Sequence, residues 1–68
     1  MIEKSIMYNG KEYLLNRKIK TNKATYAEYR NEKLKKIKFF EINNDELEEI
    51  KDKEDLKKAI TENYITEV

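Results

Sequence analysis

Lys36-Ile37-Lys38-Phe39-Phe40-Glu41-Ile42-Asn43 is the densest run of β-branched and aromatic residues in the chain. Successive side chains alternate along a strand, so Ile37 and Phe39 share one face while Phe40 and Ile42 share the other. Two apolar faces suit an interior strand better than an edge strand with one wet side. A small bulge is the alternative, since it would turn both phenylalanines toward a single core. Either way the segment belongs to a sheet, and the rest of the chain is read around it.

The chain upstream supplies partners for that strand. Ile2 to Tyr8 alternates and runs into Asn9-Gly10, the dipeptide best suited to a two-residue turn with positive φ at both positions. Lys11 to Lys20 resumes the alternation, with Tyr13, Leu15 and Ile19 opposed to Leu14, Asn16 and Lys18. Thr21-Asn22-Lys23 makes a polar tip before a third strand, Ala24 to Arg30, whose low apolar content predicts one wet face. Asn31-Glu32-Lys33 reads as a turn, and Leu34 or Lys35 opens the fourth strand.

Downstream, Asn43-Asn44-Asp45 either turns into a short strand, Glu46 to Ile50, or caps a helix from Asp45. A single helix from Asp45 to Tyr64 scatters its apolar residues around the axis. A break near Lys51–Asp52 instead gathers Leu56, Ala59, Ile60 and Tyr64 on one stripe, with Asp52 as N-cap and Glu54 and Asp55 in the first turn. The sequence therefore predicts a helix from about Lys53 to Asn63, with Ile65 to Val68 as a loosely held tail. The expected fold is α+β: a four- to five-stranded antiparallel meander with one C-terminal helix, in a single domain of 68 residues. A chain of this size buries roughly 60% of the surface its unfolded form exposes, so its stability is modest.

Composition narrows the chemistry. The chain has no cysteine and no histidine, which excludes disulfides, Cys/His zinc sites and nucleophile systems built on those residues. One glycine cannot make a phosphate-binding loop. The Asp45-Glu46-Leu47-Glu48-Glu49 cluster lacks the spacing of a calcium loop. No cofactor is expected, and no enzymatic activity. No apolar run approaches the length of a membrane span or a signal h-region, so the expectation is a soluble, cytoplasmic protein.

Charge is abundant, at 43% of residues, but it is unevenly placed. Residues 1–38 carry 11 Lys+Arg against 4 Asp+Glu, a net of +7, and residues 39–68 carry 4 against 10, a net of −6. Either the acidic helix and basic meander lie together and partly neutralise, or each sign offers a face to a partner. The acidic one is Asp45, Glu46, Glu48 and Glu49, suited to a basic site on a protein or nucleoprotein complex. The basic one is Arg17, Lys18, Lys20, Lys23 and Arg30, with Tyr26 and Tyr29 between them as candidate stacking surfaces for unpaired bases; Lys33, Lys35, Lys36 and Lys38 extend it.

Taken whole, the pattern resembles a loose group of small proteins encoded by low-GC Gram-positive bacteria and their phages. The resemblance rests on the Tyr-Asn-Gly-Lys-Glu-Tyr hairpin (Tyr8 to Tyr13), the Ile/Phe-rich strand, the Asp-Glu-Leu-Glu-Glu-Ile segment (Asp45 to Ile50) and the short terminal helix. It implies a non-enzymatic inhibitor of a bacterial defence or nucleic-acid-handling complex, the class that includes anti-CRISPR proteins. It maps no functional residue. The alternative is a small single-stranded nucleic-acid-binding domain using the basic meander.

The hairpin reading has a local test. Gly10→Val should lower stability by about 1–2 kcal/mol in denaturant unfolding, because a β-branched side chain resists positive φ.

Overall fold

The computed structural model describes residues 2–66, with the side chains of residues 65 and 66 left out of account. Five strands form an antiparallel meander in chain order: β1 (Ser5–Tyr8), β2 (Lys11–Lys20), β3 (Thr25–Asn31), β4 (Lys36–Asn43) and β5 (Glu46–Glu48). Helix α1 (Lys53–Glu62) follows, and β6 (Ile65–Thr66) returns to pair antiparallel with β2. The α+β fold is the one the sequence predicts. β6 is an addition, because Ile65–Thr66 pairs with Ile19 and Lys18 where a loose tail was expected; residues 67 and 68 lie outside the described residues.

Two hairpins turn on the same chemistry. Asn9 (φ 51°) and Gly10 (φ 74°) both sit in the left-handed region, and so do Asn44 (53°) and Asp45 (64°) between β4 and β5. Asparagine, aspartate and glycine tolerate that region best, and its twist matches the flanking strands. The β3–β4 turn differs. Asn31, still in β3, accepts the Leu34 backbone N–H at 2.8 Å and donates to the Glu12 carbonyl at 3.2 Å. Lys35 takes positive φ (53°), so β4 opens at Lys36, one or two residues later than expected.

The sheet has two cores, one on each face. Ile6, Tyr8, Tyr13, Leu15, Ala27, Tyr29, Phe40, Ile42 and Leu47 gather on the inner face, where the sheet curls on itself. Tyr8 on β1 thereby meets Phe40 on β4 edge-on, with ring centres 6.2 Å apart, although the two strands are not neighbours in the sheet. The outer face carries Ile19, Tyr26 and Phe39, and α1 covers them with Leu56, Ala59 and Ile60. Phe39 and Phe40 therefore serve different cores, and β4 lies between β3 and β5 as an interior strand should.

The bulge lies in β2 instead of β4. Leu15 pairs with Tyr29 and Arg17 with Glu28, so Asn16 is an extra residue. Past it every side chain changes face. Tyr13, Leu15 and Ile19 thus do not share a face, against simple alternation: Ile19 points out to α1 while the other two point in.

β3 also departs from expectation. It has no wet face: Tyr26, Ala27, Glu28, Tyr29 and Asn31 are all buried. Tyrosine rings supply the apolar bulk that a count of aliphatic residues misses, and their hydroxyls find partners. Tyr26 donates to Asp55 Oδ2 at 3.0 Å and Tyr29 donates to the Glu3 carbonyl.

α1 begins and ends as its sequence dictates. The Asp52 side chain accepts the Asp55 N–H at 3.0 Å, and Asn63 stops the helix in the left-handed conformation (φ 62°). The reversal returns the chain to β2, where the Lys20 N–H donates to the Tyr64 carbonyl at 3.0 Å.

A strand with a core on either face should be sensitive on both. Phe39→Ala and Phe40→Ala are each expected to cost about 2–4 kcal/mol, against a total stability on the order of 3–10 kcal/mol for a chain this small. Denaturant midpoints measure this, and a loss confined to one variant would contradict the two-core arrangement.

Candidate functional site

α1 covers only part of the outer face. Its ten residues span about 15 Å, whereas β2 beneath runs for about 33 Å. The half left bare lies toward the Asn9–Gly10 turn. The register aligns Ser5, Leu14, Arg30 and Ile37 in one row across β1 to β4, with Met7 opposite Glu12 in the next row. Met7, Leu14 and Ile37 are 69%, 50% and 44% exposed. Leu34, on the adjoining β3–β4 turn, is exposed as well. A shallow depression of about 350 Å³ lies at this end, lined by Lys11, Glu12, Leu14, Arg30 and Lys33 among others.

This apolar row escapes a sequence reading that looks for charge. Its signal is nonetheless present: Met7 and Leu14 occupy the positions of the first hairpin that alternation assigns to water.

The basic candidates do not form one surface. Arg17 is committed to a buried partner, its Nε donating to Glu28 Oε2 at 2.7 Å, where Asn16 Nδ2 also donates at 2.8 Å. Lys23 lies 3.7 Å from Asp52, and Arg30 lies 3.8 Å from Glu32 at the opposite end of the sheet. Lys18 and Lys20 follow the bulge near β6. Tyr26 and Tyr29 are fully buried and offer no ring face to a base. The stacking role expected of them is therefore unsupported: the rings fill the two cores.

The acidic candidates are closer together. Asp45 closes the β4–β5 turn, Glu46 and Glu48 lie on β5, and Glu49 follows directly. Glu48 stands opposite Glu41 across the ladder and accepts from Asn43 Nδ2 at 3.2 Å. Like charges directly opposite on a sheet are unfavourable, so this patch carries an electrostatic cost. Among the described residues no cluster of acidic side chains is arranged to hold a metal ion. Among the described residues no helix is long and apolar enough to cross a membrane. Compared with known family models, curated proteins and solved structures, the chain has no significant match.

Three tyrosines are shifted upward, the exposed Tyr64 by its hydrogen bond to Glu62 and the two buried ones by their surroundings. Burial, then the hydrogen bond to Asp55 and the charges of Asp55, Glu41 and Asp52, push the Tyr26 hydroxyl well above its ordinary value. Burial and then Glu3 raise Tyr29. An unfolded tyrosine loses its proton near pH 10, whereas Tyr26 in the fold still holds its own. Raising the pH through 10 therefore favours the unfolded chain, and stability falls. Tyr26→Phe should cost about 1 kcal/mol at neutral pH but flatten that alkaline loss, as thermal unfolding between roughly pH 8 and 11 will show.

Proposed function

We propose that the protein is a non-enzymatic binding protein that docks on a protein partner through the bare half of its outer sheet face. The observation that carries this reading is the exposed row of Met7, Leu14 and Ile37 on a surface otherwise dominated by charge. Large apolar side chains gathered on one uncovered sheet face of so polar a protein, with Arg30 and Glu12 among them, fit an interaction site. Aliphatic residues beside Arg30 also have the composition of an interface core: apolar, with an arginine able to reach across.

The resemblance to small proteins of low-GC Gram-positive bacteria and phages supplies the biological setting. In that setting the protein acts by occlusion, as a stoichiometric inhibitor of a cytoplasmic defence or nucleic-acid-handling complex. The acidic segment Asp45, Glu46, Glu48 and Glu49 is a second docking element at the other end of the sheet, suited to a basic channel. The nucleic-acid reading is weaker, because burial removes its aromatic platform and Arg17 is already paired.

Tagged protein incubated with a Gram-positive host lysate discriminates among these. The expected complex survives nuclease, is weakened roughly tenfold or more by Leu14→Glu, and is indifferent to reversal of Lys18, Lys20 and Lys23 to Glu. Leu14 is half-exposed, so the variant should fold, and circular dichroism checks that it does. Loss of the complex on nuclease treatment, or with the lysine reversals alone, would transfer the function to nucleic acid. Neutralising the four acidic residues tests the second element separately.

A further inference from the structure

β5 is shorter than the strand it guards. It pairs with Glu41, Ile42 and Asn43 only, and among the described residues no strand pairs with β4 on that side over residues 36–40. The two-residue turn at Asn44–Asp45 makes Asn43 and Glu46 a hydrogen-bonded pair, and the antiparallel ladder then alternates. The backbone groups of Asn43 and Glu41 point toward β5. Those of Phe39 and Ile37 point the same way, past its end, beside the pocket that Glu49 and Ile50 help to line.

A cavity of about 310 Å³ lies beside this edge, walled by Tyr8, Phe39, Phe40 and Ile50. Lys38 and Lys53 stand at its rim, with Glu49 the one acidic group. The Lys38 ammonium rests 4.9 Å from the Tyr8 ring centre, which holds it over the opening. Together these make a short unpaired edge, an apolar pocket next to it and a basic rim. They match the needs of strand addition, in which backbone hydrogen bonds supply affinity and a pocket reads alternate side chains.

We infer that the open edge of β4 binds an extended, acidic segment of a protein partner as an added strand, pairing with Ile37 and Phe39 and seating one apolar side chain in the pocket walled by Tyr8, Phe40 and Ile50. This rests on the protein-binding reading and deepens it, since Ile37 contributes its side chain to the bare face and its backbone to the edge. Charge decides between occupants. A second copy pairing edge to edge would bring Lys36 and Lys38 of each chain against those of the other, whereas an acidic segment is complementary to them.

The test uses the full chain and a displayed library of unstructured peptides of about twelve residues. Peptides that alternate β-branched or aromatic residues with Asp or Glu should enrich, and binding should slow hydrogen exchange at the Ile37 and Phe39 amides. A chemically synthesised chain with an ester in place of the Ile37 amide keeps the side chain and removes the donor. It should bind up to about tenfold more weakly, the effect of one lost hydrogen bond, and Ile37→Ala, which trims the bare face but keeps the edge donor, should cost less than the ester. A proline would remove the same donor but also fix φ at about −65°, so the ester is the cleaner change. The inference fails if no peptide enriches, if exchange at these amides is unchanged, or if the ester has no effect. Equal loss with Ile37→Ala would overturn edge pairing but leave the bare-face reading intact. Protection that appears without peptide as protein concentration rises would assign the edge to a second copy.

Discussion

The Glu28 carboxylate, buried in the middle of β3 and held by Asn16 and Arg17, is the constraint on which the architecture turns. A buried carboxylate is tolerable only when its lone pairs are engaged, and both donors come from the bulged stretch of β2. Bulge and ion pair therefore depend on each other. Without the extra residue, Arg17 would face inward and Ile19 would join Tyr13 in the inner core. With it, Arg17 reaches Glu28 on the outer face and Ile19 is left there needing cover. α1 supplies that cover, and Thr21 and Tyr26 hold it in place through one oxygen of Asp55, at 2.8 and 3.0 Å.

Two cores in so short a chain explain why β4 is apolar on both faces and why β3 is so fully enclosed. They also explain what is left over. The inner core is closed by curling the sheet until Tyr8 meets Phe40, which uses β1 as a wall. The outer core is closed by a helix too short to reach the end of β2. One half of a face and one stretch of edge remain open, and they meet at Ile37.

Much of this was legible in the sequence, because it depended on local chemistry. Asn9-Gly10 fixed the first hairpin, the angular test separated β5 from α1, and Asp52 announced the helix start. The terminal pairing of β6 was missed, since two residues carry no periodicity. The bulge was missed for a different reason: Asn16 and Arg17 look like ordinary solvated positions until Glu28 is found opposite them, and that pairing spans eleven residues of sequence. Tyr26 and Tyr29 were misjudged for the same reason. An aromatic between lysines reads as a stacking surface, and only the tertiary neighbours show its ring enclosed. The apolar row was visible as residues but not as a site, because its members come from three strands and are joined only by register.

A short helix leaves part of the outer face uncovered whatever the sequence there. Composition argues further. Nearly half of this chain is charged, and lysine or glutamate at the positions of Met7, Leu14 and Ile37, which are 69%, 50% and 44% exposed, would have cost the fold little burial. Elsewhere the same sheet does use charge at exposed positions, as at Glu12 between Met7 and Leu14 and at Lys36 along the open edge, with the half-buried Lys38 two residues on. Those lysines also discourage edge-to-edge pairing of identical chains, which is how natural sheets guard an unpaired strand. The combination of an apolar face with a self-repelling edge disfavours homotypic assembly while leaving the surface open to a partner of opposite charge. Such a surface is selective by repulsion as much as by attraction.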